Sequence, residues 1–225
     1  IEMRSPNPYT NTYIAIAAFY LAMLDGIKAC VTSGKDLKAL EAEISKEAGV
    51  EGFYLEKDRQ YRTEEDVFED FTAEERDHLF GKPPATVWEN MCAFEAYPEK
   101  LAVLTGSGIL KKEYAESFKQ GALIRWQTEL LTRIIPENYQ VVIDCKRLHS
   151  QDFSTDLDLA LWNKIQNLRT KLAKDSFDTA SIFTCIRKAI AEGDYDTASE
   201  KQVEMAEIML KLKKLYNQYK QNIID

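Results

Sequence analysis

The two residues whose types and spacing best suit chemistry are Glu2 and Arg4. Residues two apart on a strand point to the same side. A carboxylate that holds a divalent cation, beside a guanidinium that holds a carboxylate or phosphate, suits phosphoryl transfer. Surface strands carry such pairs everywhere, so residue type alone decides little. The generic motifs are missing: the sequence has no G-x-G-x-x-G, no G-x-x-x-x-G-K-[ST] and no H-E-x-x-H. TGSGIL (105–110) has two glycines but no following lysine, and reads as a helix–helix turn. His78 lies four residues after Glu74 and could share a helical face for a metal, but in the run EERD a solvated surface is expected. His149, beside Arg147 and Ser150, has no assignable nucleophile, so no triad can be argued.

The elements that must position Glu2 and Arg4 begin at once. IEMR alternates apolar and charged residues, a strand stub, and SPNPYTN is a loop. Asn11 or Thr10 can cap a helix running to about Lys28. Its apolar run, Tyr13 to Leu24, is shorter than the roughly 20 residues that span a bilayer, and no signal-peptide flank accompanies it. A helix apolar on nearly all sides is expected to be buried inside a larger protein. Leu37, Leu40 and Ile44 predict a helix over 36–48 stopped by Gly49, and 53–62 suggests a short hairpin. Thr63 with Asp66, Thr72 with Glu75 and Thr86 with Glu89 fit capping boxes, predicting helices at 64–69, 73–79 and 87–97. Pro98 opens another helix ending before Gly106. Residues 111–134 carry apolar residues four apart, and Pro136 is expected to end that helix. Further on, 155–173, 177–191 and 196–223 read as three amphipathic helices of an antiparallel bundle. The last has Met205, Ile208, Leu212, Leu215 and Tyr219 as a heptad stripe, with Lys211, Lys213 and Lys214 on its wet face.

Composition sets the outer bounds. The 225 residues include nine glycines and six prolines, too few for a many-stranded sandwich or barrel. A net charge of −8 argues against a nucleic-acid-binding chain. Cys30, Cys92, Cys145 and Cys185 are scattered, without zinc spacing, and read as buried reduced thiols of a cytoplasmic protein. Residue 1 is Ile rather than Met, so a processed protein or a piece of a longer one is expected.

The stretch IEMRSPNPYTNTYIAIAAFYLAMLDGIK (1–28) resembles the glutamine synthetase family, whose pattern is hydrophobic–Glu–hydrophobic–Arg, then x-P-D-P-x-x-N-P-Y, then an Ala-rich helix closing on L-D-G-I-K. It departs at Asn7, where the family usually has Asp, and at Thr12, where it usually has Pro. Pro suits a first helical turn without being required there. The likeness continues more weakly to about residue 142: 88–108 resembles the helix before the family's last segment, and Ile135–Tyr139 its closing H-P-x-E-[FY] region, with Ile for His.

The resemblance implies that Glu2 coordinates the metal bridging the ATP phosphates and that Arg4, as a catalytic and cofactor-binding residue, contacts the substrate glutamate or the phosphoryl group. It implies a parent enzyme, with ATP and Mg2+ (or Mn2+) as its cofactors, that ligates ammonia to L-glutamate through γ-glutamyl phosphate and assembles as a homo-oligomer in the cytoplasm. The expectation is a mainly α chain, with at most a hairpin and the strand stub. Residues 1–142 would be the C-terminal portion of the catalytic domain and 143–225 a helical extension of long-form bacterial or clostridial type. The chain alone, with no cofactor bound and neither nucleic acid nor membrane as partner, is expected to be inactive. The alternative is a helical oligomerisation or regulatory partner-binding module, built on the Met205–Tyr219 stripe.

Overall fold

A computed structural model describes residues 10–221, leaving aside the side chain of Gln151. The fold is mainly α, and no strand forms among the described residues. The strand stub lies outside them. Backbone packing divides the chain into two compact units, one of the described residues up to Pro84 with Phe94–Ala115, the other of Ala85–Ala93 with the residues from Glu116 onward. The boundary at 142, drawn from the length of a family, is a different quantity that packing does not test.

The first unit starts with α1 (Thr12–Ser33), whose first turn is capped by Asn11: its side-chain oxygen accepts from the N–H groups of Tyr13 and Ile14. The helix runs past Lys28 because nothing interrupts it before Gly34, which ends it at φ 64°. At 22 residues it is long and apolar enough, by length and composition, to cross a membrane, unlike the Tyr13–Leu24 run considered alone. α2 (Leu37–Ile44) begins at Asp36, whose carboxylate accepts from the Ala39 N–H. It ends at Ser45, short of Gly49.

The expected hairpin at 53–62 does not form. A ladder needs the backbone groups of 57–60, and these are bonded elsewhere. The Lys46 ammonium donates to the carbonyls of Lys57 (2.8 Å) and Arg59 (3.0 Å). The Gln60 N–H donates to the Leu79 carbonyl (2.9 Å), and the Lys57 carbonyl also takes the Gly49 N–H (2.9 Å). The helix expected at 64–69 is replaced by turns. Asp66 caps its own turn, accepting from the N–H groups of Phe68 and Glu69, an alternative to helix that short acidic side chains offer. α3 (Ala73–Leu79) has the complete Thr72–Glu75 capping box.

α4 (Val87–Ala96) passes from the second unit into the first. α5 (Pro98–Thr105) has proline in its first turn and packs on α1. The TGSGIL segment is the turn that follows, with Gly108 at φ 75°. Next, α6 (Lys112–Glu129) does not stop at Pro136. It passes through one π-helical stretch, Leu130–Ile134, into α7 (Ile135–Asp144). In a straight α-helix Pro136 would leave the Thr132 carbonyl unbonded and press its ring against it. The wider turn, in which the Ile135 N–H reaches back five residues to Leu130, places Pro136 in the first turn of a new helix, where no donor is needed. Leu130 and Ile135, on either side, are fully buried.

The second unit is completed by α8 (Asp156–Ala173), α9 (Ile182–Glu192) and α10 (Tyr195–Gln221). α8 starts with a Thr155–Asp158 capping box. α9 starts at Ser181 rather than near 177, so Phe177 lies in the preceding loop, fully exposed. Gly193, at φ 74°, ends α9 in the left-handed conformation that glycine adopts without strain. α10 packs against both α8 and α9. Met205, Ile208, Leu212 and Tyr219 are all buried, and Leu215 is half-buried, so the stripe is used within the chain. Lys211, Lys213 and Lys214 face solvent.

Candidate functional site

Glu2 and Arg4 lie outside the described residues. What the structure contains is the element directly after them. Around α1, Asn11 fixes where the helix begins, but of the helix itself only Leu21 is buried. Tyr13 is 86% exposed, Tyr20 68% and Val31 77%, with Ile16, Met23 and Ile27 also exposed. The apolar character read as burial is therefore not satisfied by the described residues of this chain. Such a face marks an interaction surface.

The Leu24–Lys28 segment of the family-like pattern lies inside α1, and its Asp25 carboxylate accepts a hydrogen bond from the Tyr54 hydroxyl. That bond holds the phenol's proton and pushes its pKa above the ordinary tyrosine value. The loop carrying Tyr54 is pinned a second time by Glu43. Its carboxylate accepts from Lys35 Nζ (2.7 Å) and from the Phe53 and Tyr54 N–H groups. Those bonds, the lysine's foremost, hold the Glu43 pKa below the usual carboxylate value. Neither contact had a sequence signal, since Asp25 and Tyr54 are 29 positions apart.

No group of three or more His, Cys, Asp or Glu converges for a metal among the described residues. A cleft of about 360 Å³ lies between Glu56–Arg59 and Asp77–His78. Three of its charged side chains, Glu56, Lys57 and Arg59, are already paired. Arg59 Nη1 donates to the carbonyls of Asp77 (3.0 Å) and His78 (2.9 Å), Glu56 accepts from Lys100 (2.8 Å), and Lys57 pairs with Glu51 (3.0 Å). The cleft is a structural knot. All four cysteines are free thiols, but only Cys145 is buried, and burial raises its pKa. Cys30 is exposed, because the α1 face that bears it is uncovered.

No family model matches the chain. It is 41% identical over 81 residues to the glutamine synthetase of Vibrio cholerae serotype O1, an alignment covering 31% of this chain and 17% of that protein. The chain thus contains a glutamine synthetase-related region and spans a small part of the length of the relative it matches. No solved structure matches.

Proposed function

We propose that residues 1–142 are the C-terminal part of a glutamine synthetase catalytic domain, and that α1 packs against the rest of that domain. The observation that supports this most is the apolar, uncovered α1 directly after the Glu-x-Arg pair, within a chain that has a glutamine synthetase-related region. An exposed apolar helix is costly, at about 25 cal/mol per Å² of apolar surface left in water, and the cost is removed when a sheet covers it. In that assembly Glu2 is a metal ligand toward the ATP phosphates and Arg4 a clamp on the substrate carboxylate or the transferring phosphoryl group. Magnesium or manganese bound there supplies charge neutralisation for phosphoryl transfer.

The chain by itself is expected to be inactive, because two residues cannot assemble a metal and nucleotide site. The test is ATP-dependent glutamine formation from L-glutamate and ammonia, measured on this chain and on its reading frame continued upstream of Ile1. Turnover is expected from the longer chain alone. Glu2→Gln in it is expected to lower kcat by at least about 100-fold. Turnover by the shorter chain at the same rate contradicts the proposal. The oligomerisation reading loses its warrant, since the Met205–Tyr219 stripe is covered by α8 and α9.

A further inference from the structure

We infer that the first turn of α10 is a clasp on which the helical state of residues 87–93 depends. α4 is ten residues long, below the roughly 12–15 at which an isolated helix becomes even marginally stable. Its capping hydroxyl is shared. Thr86 Oγ1 accepts the Glu89 N–H (3.2 Å) and lies 2.6 Å from Ser199 Oγ, with both residues buried. A hydroxyl can accept one bond and donate another, so both contacts are met at once. The Glu89 carboxylate completes the cap by accepting the Ala85 N–H (2.7 Å). Within the same first turn, Trp88 Nε1 donates to Asp196 (2.6 Å), and its ring packs on Tyr195 at 5.2 Å. Tyr195, Asp196 and Ser199 all belong to the start of α10. The Gly193 turn and Asp194, which accepts the Thr197 N–H (3.1 Å), fix where that start lies.

A helix too short to stand alone is thus capped and pinned by residues more than 100 positions later. When the first turn of α10 lets go, residues 85–93 lose their cap partner and their indole acceptor together. The 85–93 segment therefore opens with α10's first turn while α9 stays folded. This inference does not rest on the proposed function.

Native-state hydrogen exchange on the full chain tests it. Ser199→Ala and Asp196→Ala are each expected to speed exchange at 89–93 by about tenfold, the equivalent of one buried hydrogen bond, while 186–190 in α9 is unchanged. Ser199→Thr, which keeps the hydroxyl, is expected to restore the parent rate. Trp88→Phe keeps an aromatic ring beside Tyr195 but removes the N–H donor, and is expected to give the same selective acceleration if the alanine variants fold poorly. No acceleration at 89–93, or equal acceleration at 89–93 and 186–190, overturns the inference.

Discussion

Two regions of this chain use similar sequence means to different ends. In the second unit the helices from Glu116 onward bury aromatic and aliphatic side chains against one another, with Leu130, Ile135, Ile165, Ile186, Leu212 and Tyr219 fully excluded from solvent. In the first unit the described side chains that are buried are Leu21 and Lys46. Yet α1, in that first unit, is more apolar than α10, the longest helix of the second. The difference shows that apolar content measures how much burial a segment needs, and the pattern of its neighbours decides whether the chain supplies it. α10 has its apolar residues in a stripe that two neighbours match. α1 is apolar all round, and one short helix, α5, packs on it.

The two helices differ most in what removing an apolar side chain costs. Leu212→Ala is expected to cost about 2–5 kcal/mol, the range for emptying a filled core site. Ile27→Ala on α1 is expected to change stability by less than about 0.5 kcal/mol, as for an exposed position. Urea titrations followed by circular dichroism read both, and equal losses would erase the distinction between the units.

Next in size is Lys46→Met. It leaves two loop carbonyls without their shared donor and is expected to cost about 1–3 kcal/mol, confined to the first unit. Limited proteolysis should then cut within 53–62, while the unfolding midpoint of the second unit stays in place. A shift of that midpoint would show the two units to be one cooperative body.

Thr155→Ala removes the cap of α8 and is expected to cost about 1 kcal/mol in the second unit, with Thr155→Ser restoring it. The same cap gives a pH dependence. Hydrogen bonds from Thr155 hold the Asp158 carboxyl below its ordinary pKa, and bonds from Ser181 and Thr184 do the same for Asp175. Groups depressed in the fold contribute stability above the unfolded value, near pH 3.9, and lose it as pH falls through the folded value. Urea midpoints for the second unit should therefore drop as the pH is taken below about 4, and Asp158→Asn should flatten that limb. An unchanged limb contradicts the assignment.

The sequence was most readable where a local rule met no competitor. Asn11, Thr72 and Gly193 act where their residue types predict, and the α10 stripe is buried at the expected positions. It was least readable where a second rule intervened. Pro136 breaks a straight α-helix, but the π-helical turn before it removes the clash. Asp66 could have completed a capping box and instead caps its own turn. At 53–62 the β-type residues were right for a strand, but the lysine that binds their carbonyls lies eleven and thirteen positions upstream. Thr155–Asp158 is a capping signal as plain as Thr72–Glu75, in its shorter acidic form. The chemical pair Glu2 and Arg4 was legible as types at a spacing, and their meaning came from the run of residues after them.

If residues 1–142 are the C-terminal part of a glutamine synthetase catalytic domain, as proposed, α1 is apolar because the rest of that domain covers it. Hydrogen exchange at residues 13–32 tests this most directly, measured in this chain and in its reading frame continued upstream. Protection is expected to rise by at least about 100-fold in the longer chain, as an exposed helix becomes a packed one. Equal protection in the two chains would contradict it.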